Sequence, residues 1–160
     1  KGITGGYLPM SATAANRRVH DAFLGEDLGP RTLYHGHSYA GNALAAAVAL
    51  RHLELLDEWD VLANVEARAA ELAVALDQRV GPLPPVKTIR QQGLMVGIEL
   101  APPAEAMRWG RRVSAACVEA GVLIRPLGDV VVIVPMLTTT PDEVDRIVDV
   151  VAASIRSAAA

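Results

Sequence analysis

Lys1 opens the run Lys1-Gly2-Ile3-Thr4-Gly5-Gly6-Tyr7-Leu8-Pro9-Met10, which puts a primary amine at the head of a glycine-rich turn. Glycines at 2, 5 and 6 let a backbone turn tightly and approach a planar molecule closely. A lysine held this way can serve as a covalent amine and form a Schiff base once it has lost its proton. The ordinary lysine pKa of about 10.4 keeps it charged at neutral pH, and burial beside cationic or electrophilic groups lowers that value. On composition alone the plainer reading, a solvated terminal lysine, stands ahead. Further along, Gly36-His37-Ser38 offers a small residue, backbone N–H groups and a hydroxyl in sequence, a combination suited to a phosphate. The paired imidazoles of His35 and His37 suggest a metal, but no neighbouring carboxylate or thiol completes a ligand set, so none is expected. Arg125 sits in an otherwise apolar strand pattern, where an unpaired guanidinium is costly to bury. Its planar fork suits a carboxylate; on an edge strand it would simply point to water.

The elements that must position these groups are legible from pattern and punctuation. Residues 1–15 read as a glycine turn followed by an extended segment, Tyr7–Thr13, in which Pro9 argues for an edge or strand start. Asn16–Phe23 reads as a short helix and Gly25–His37 as a loop. Gly41-Asn42 is expected to cap a helix over Asn42–Glu58 whose uncharged first half, Ala43–Leu50, is expected to be buried all round. Its second half carries Arg51, Glu54 and Asp57 into solvent. Asp60 is placed to cap the next helix, with Leu62, Val65, Ala69, Leu72, Leu76 and Val80 on one face and Gly81 as its stop. Trp59, at the junction, is read as packing. Pro82-Leu83-Pro84-Pro85 is the one candidate linker.

Beyond it, Leu94, Val96, Ile98 and Leu100 alternate as one face of a strand. Ala104–Ala120 is an amphipathic helix stopped by Gly121, with Arg108, Arg111 and Arg112 on a solvated face and Cys117 as a small buried hydrophobe. Val122–Leu127 and Val130–Val134 form a hairpin about Gly128-Asp129, and a two-residue loop there sets Arg125 opposite Val132. Thr140-Pro141-Asp142-Glu143 is a capping box with proline at the first helical position. It opens a helix that buries Val144, Ile147, Val148, Val151 and Ile155. The order gives an α+β unit after residue 82, with helices on one face of a small antiparallel sheet.

Taken together, Lys-Gly-Ile-Thr-Gly-Gly-Tyr-Leu-Pro, His-Gly-His-Ser-Tyr-Ala-Gly-Asn at 35–42 and Arg-Pro-Leu-Gly-Asp at 125–129 resemble the fold-type I, class III pyridoxal-phosphate aminotransferases. Within them the chain is most similar to the branch that converts 8-amino-7-oxononanoate to 7,8-diaminononanoate in biotin synthesis. The resemblance covers nearly the whole chain, with the three motifs in family order. It implies that Lys1 carries the Schiff base with pyridoxal 5′-phosphate and then acts as general base and acid in the proton shift. It implies that Gly36, His37 and Ser38 reach across a homodimer interface to the neighbouring subunit's cofactor phosphate, and that Arg125 binds the acceptor carboxylate.

Val132 stands where members using S-adenosylmethionine as amino donor commonly carry tyrosine, and Arg-Pro-Leu-Gly-Asp-Val also resembles a lysine-using branch. The family's ring-stacking aromatic residue and its pyridinium-pairing aspartate precede the lysine. The chain therefore reads as the C-terminal part of a longer protein, inert by itself. Residues 1–58 correspond to the end of the α/β cofactor-binding large domain, 59–81 to a connecting helix and 82–160 to the small C-terminal domain. Two other readings stay open: a different class III ω-aminotransferase, and a non-catalytic α+β interaction or dimerisation module.

Composition reads as globular rather than disordered. The 160 residues, 51% hydrophobic and 21% charged, suffice for a globular core. A net charge of -3 gives nucleic acid or an anionic membrane nothing to attract. The longest apolar run, Ala43–Leu50, is far short of the roughly 20 residues of a membrane span. The lone Cys117 and the absence of a secretory signal suit the cytoplasm.

Overall fold

The computed structural model describes residues 1–102 and 108–159. The chain divides into two compact units, Lys1–Trp59 and Asp60–Ala160.

In the first unit the glycine turn leads into irregular chain, and no strand forms over Tyr7–Thr13. Pro9 lacks the N–H that a ladder needs, and the described part of this unit holds no strand to pair with. Helix α1 (Arg17–Ala22) begins where Asn16 accepts the Val19 N–H at 3.0 Å. Helix α2 (Ala43–Glu58) begins where the Asn42 side chain accepts the Leu44 N–H at 3.1 Å, after Gly41 turns at φ +72°. The expectation that its first half is buried all round fails: only Ala45 and Ala49 are buried, while Leu44 is 74% and Leu50 64% exposed. An i, i+4 pair marks one stripe of a helix, and this unit has no second layer to cover the others. The second half does reach solvent, where Arg51 bonds Glu54 at 2.9 Å and Glu58 at 2.7 Å. Trp59 is exposed, not packed.

The second unit comprises α3 (Val61–Arg79), β1 (Val86–Gln92), β2 (Met95–Leu100), α4 (Trp109–Glu119), β3 (Arg125–Leu127), β4 (Val130–Ile133) and α5 (Pro141–Ala159). The strands form one antiparallel sheet in the order β1-β2-β4-β3. Val96, Ile98 and Leu100 of β2 and Val131 and Ile133 of β4 face the helices. With Leu72, Leu76, Val113, Cys117, Val148 and Ile155 they make one core. On the other face Glu99 pairs with Lys87 at 2.8 Å. The α+β architecture expected from the sequence is therefore present.

Strand β1 is missing from the sequence reading, because Lys87, Thr88, Arg90 and Gln92 are exposed and break the apolar alternation. The break in compactness falls at residue 59, so α3, expected to connect two domains, packs into the second unit's core through Leu72, Ala75, Leu76 and Val80. Pro82–Pro85 is a turn whose Leu83 rests on that core. Asp60 precedes α3 in a left-handed conformation, φ +47°, and makes no side-chain cap. With the helix phased accordingly, Val61 is buried and Leu62 67% exposed, the reverse of the expectation. Helix α4 is seen from Trp109; the expected start near Ala104 falls outside the described residues. Cys117 is fully buried, and that burial pushes its thiol pKa up.

The capping box of α5 forms as expected. The Thr140 N–H donates to the Glu143 carboxylate at 2.8 Å and the Glu143 N–H to the Thr140 hydroxyl at 3.3 Å. The Thr140 N–H, with the Thr140 and Thr139 hydroxyls that also donate to this carboxylate at 3.2 Å, holds the Glu143 carboxyl below the ordinary value of 4.5. A depressed pKa contributes stability that is fully present above the unfolded value and is lost as pH falls through the folded one. The stability gap between wild type and Glu143→Ala is thus expected to be widest near neutrality and to narrow below about pH 4.5. Urea titrations across pH 2–7 check this, and a gap that ignores pH removes the charge from the account.

Candidate active site

Lys1 heads a closed turn. Its carbonyl accepts the Thr4 N–H at 3.2 Å and the Gly6 N–H at 3.0 Å. Gly5 and Gly6 hold φ +61° and +85°, conformations that a side chain strains. A Cβ on Gly5 would meet the His52 ring of α2 at 3.0 Å, so the turn lies against that helix. Thr4 is fully buried and donates its hydroxyl to the Leu8 carbonyl at 2.6 Å, which makes it a turn residue. The turn thus fixes the Lys1 backbone and leaves its side chain exposed.

Gly36, His37 and Ser38 lie on the exposed loop between α1 and α2. The His37 ring accepts the Tyr39 N–H at Nδ1, 3.1 Å away, which leaves its other ring nitrogen free to donate. The Ala40 N–H closes a turn onto the His37 carbonyl at 2.9 Å. The N–H groups of Gly36, His37 and Ser38 donate to no backbone carbonyl of the described residues. A Cβ built on Gly36 would meet nothing within 4 Å, so the space in front of it is open. Among the described residues no group of His, Cys, Asp and Glu is arranged to hold a metal.

Arg125 stands opposite Val132, the register expected from the two-residue loop. Its setting differs from expectation. Arg125 is the first residue of a three-residue edge strand and is exposed rather than buried mid-strand, so no desolvation penalty demands a partner for it. Val132 beside it is half-buried. The strand is shorter than the expected Val122–Leu127 because Leu123 turns to solvent, 89% exposed.

Two tertiary contacts of this unit carry no local sequence pattern. The Asp129 carboxylate accepts the Gly110 N–H at 2.9 Å, and Gly110 has no room for a Cβ, which would lie 2.2 Å from the Gly128 carbonyl oxygen. The available signal was a glycine inside a helical pattern, which usually has a packing reason. Asn64 of α3 also donates to the Leu137 and Thr139 carbonyls at 2.9 and 3.1 Å, tying down the segment that leads into α5.

The sequence pattern of the family "Aminotransferase class-III" matches residues 1–155. The chain belongs to the class III aminotransferases. It is 43% identical over 162 residues to the adenosylmethionine-8-amino-7-oxononanoate aminotransferase of Nitratidesulfovibrio vulgaris, an alignment covering 97% of this chain and 30% of that protein. The crystal structure of the enzyme of that name from Methanocaldococcus jannaschii superposes with a TM-score of 0.90 at 34% identity, covering 97% of this chain and 37% of that one. An amine transaminase from an uncultivated Pseudomonas species, solved in its PLP-bound form, superposes at 0.86 with 31% identity, covering 97% and 36%. The chain spans about a third of the length of the curated relatives it matches.

Pyridoxal 5′-phosphate is the family's cofactor, and the class III chain carries groups of the right chemistry for part of it. Lys1 presents an exposed primary amine for the aldehyde end. The loop at 36–38 presents a hydroxyl, an open approach and N–H groups that engage no backbone carbonyl among the described residues, the kind of chemistry that suits a phosphate. Among the described residues no helix is long and apolar enough to cross a membrane.

Proposed function

We propose that this chain is the C-terminal portion of an aminotransferase that converts 8-amino-7-oxononanoate to 7,8-diaminononanoate. The observation that carries the reading is the Arg125–Val132 pair. It sets an exposed guanidinium beside a half-buried apolar side chain on the β3–β4 hairpin, in a chain 43% identical to a protein named for that substrate. When bound, pyridoxal phosphate supplies the electron sink that lets an amino group leave one carbon and join another. The protein's own groups do the rest. The Lys1 amine would hold the cofactor and would serve as the base and acid that carries the proton at the substrate carbon, work suited to an amine held on a fixed backbone.

In this reading Ser38, with the N–H groups of Gly36 and His37, holds the phosphate of a neighbouring subunit in a homodimer. Arg125 grips the acceptor's carboxylate with its two-pronged fork. Val132 supplies shape and no hydrogen bond to the pocket in which S-adenosylmethionine or lysine gives up its amine. The protein works in the cytoplasm, where a lone buried cysteine stays reduced.

The test separates the half-reactions in the full-length enzyme. Removing a charged hydrogen bond to a carboxylate costs about 1.5–3 kcal/mol, or roughly ten- to a hundred-fold in binding. Arg125→Ala is therefore expected to raise KM for 8-amino-7-oxononanoate by that factor, toward the lower end because the site is exposed. Cofactor binding should not change. Val132→Tyr is expected to change the donor half-reaction, read spectroscopically with S-adenosylmethionine and lysine offered separately. Unchanged acceptor kinetics in Arg125→Ala would point to an ω-aminotransferase acting on another amine.

A further inference from the structure

We infer that Asp129, seated on Gly110, is the positioning residue for Arg125, an inference that rests on the carboxylate-binding role proposed above. Strand β3 is three residues long and lies at the sheet edge, so its ladder with β4 is too short by itself to fix its first residue, Arg125. What fixes it is the turn. The Asp129 carbonyl accepts the Leu100 N–H at the end of β2 at 2.9 Å. The Asp129 side chain accepts the Gly110 N–H at the same distance, in the first turn of α4. One residue therefore ties the hairpin to a strand on one side and to a helix on the other.

The helix has reason to want that carboxylate. Its first N–H groups lack intrahelical partners, and its dipole favours negative charge there. Arg108, the residue at the cap position, is left-handed at φ +53° and makes no side-chain cap. Asp129 thus caps α4 from another element. Contact is close along the whole turn: a Cβ on Gly110 would lie 2.2 Å from the Gly128 carbonyl oxygen, 3.0 Å from Pro126 Cβ and 3.1 Å from Asp129 Cα. Pro126 is Arg125's own neighbour, so the arginine's backbone is referenced to α4 through the turn. Losing the cap frees the turn to lift, and the guanidinium moves with it. A displacement of about 1 Å in a positioning group can cost up to 10²-fold.

The experiment uses the full-length enzyme with Asp129→Ala, Asp129→Asn and Arg125→Ala, assayed with 8-amino-7-oxononanoate and with its methyl ester, which offers no carboxylate. Asp129→Ala is expected to raise KM for the acid about tenfold. It should leave KM for the ester and the donor half-reaction within about twofold. Asp129→Asn keeps an oxygen for the Gly110 N–H and should stay within about twofold of wild type on all three readings. If Asp129→Ala does not fold, Asp129→Glu, which pushes the carboxylate about one methylene past Gly110, is read the same way. Equal losses on acid and ester, or a donor half-reaction slowed as much as the acceptor's, would make Asp129 merely structural and overturn the inference. If Arg125→Ala does not discriminate acid from ester, the role of Arg125 falls and this inference with it. If Arg125→Ala discriminates and Asp129→Ala does not, only this inference falls.

Discussion

Lys1→Ala in the full-length enzyme is expected to lower kcat by at least about 10²–10⁴-fold, the range that a positioned acid–base group supplies. The loss of covalent attachment adds to it. The side chain is exposed, so its removal leaves no cavity, and the turn that carries it is held by backbone bonds from Thr4 and Gly6 that alanine retains. The variant should therefore fold with unchanged stability while losing turnover, which separates chemistry from structure. Lys1→Arg should not restore it, because a guanidinium is not deprotonated in proteins and cannot take up a proton from carbon. Borohydride reduction of wild type followed by peptide mapping should find the pyridoxyl group on the Lys1 nitrogen. Lys87, this chain's other lysine, is the internal control: it lies on the second unit's sheet, paired with Glu99 at 2.8 Å. A label there, or full activity in Lys1→Ala, refutes the assignment.

Much of the frame was legible where local chemistry decides the outcome. Asn42 caps its helix, Thr140 and Glu143 form their box, and Gly128, at φ +60°, turns the hairpin that sets Arg125 against Val132. Alternation placed Leu94, Val96, Ile98 and Leu100 in the core, and all four are buried. Reading failed where the answer depends on what lies opposite. The apolar run Ala43–Leu50 declares that something covers it but not what, and within its own unit Leu44 and Leu50 remain exposed. Strand β1 is specified by its pairing with β2 rather than by its own polar side chains, so its sequence carries no period to read. Asp60 has the right type at the right place and still makes no cap, because its left-handed backbone sets the helix entry instead. The motif residues were found as types. That Asp129 caps a helix nineteen residues back is a tertiary fact, invisible to any local pattern.

Gly110→Ala tests that tertiary fact by stability alone, and two effects of opposite sign meet in it. Alanine is the better helix former by about 1 kcal/mol, so a helical position with free space would gain. Here the added methyl would sit 2.2 Å from the Gly128 carbonyl oxygen, a backbone atom that cannot rotate away. Overpacking of this kind costs about 1–3 kcal/mol. Relieving it means lifting the turn, which also strains the Gly110–Asp129 bond and removes about 0.5–1.5 kcal/mol more. The clash and the lost bond outweigh propensity, and the variant is expected to be about 1–3 kcal/mol less stable. That is a fall in Tm of several degrees for a unit of this size. Gly36→Ala, where a Cβ meets nothing within 4 Å, is the matched control and should leave Tm unchanged. Thermal melts of the two variants decide it. A neutral or stabilised Gly110→Ala would mean that the turn yields without cost, and a turn that yields so easily could not hold Arg125 in place either.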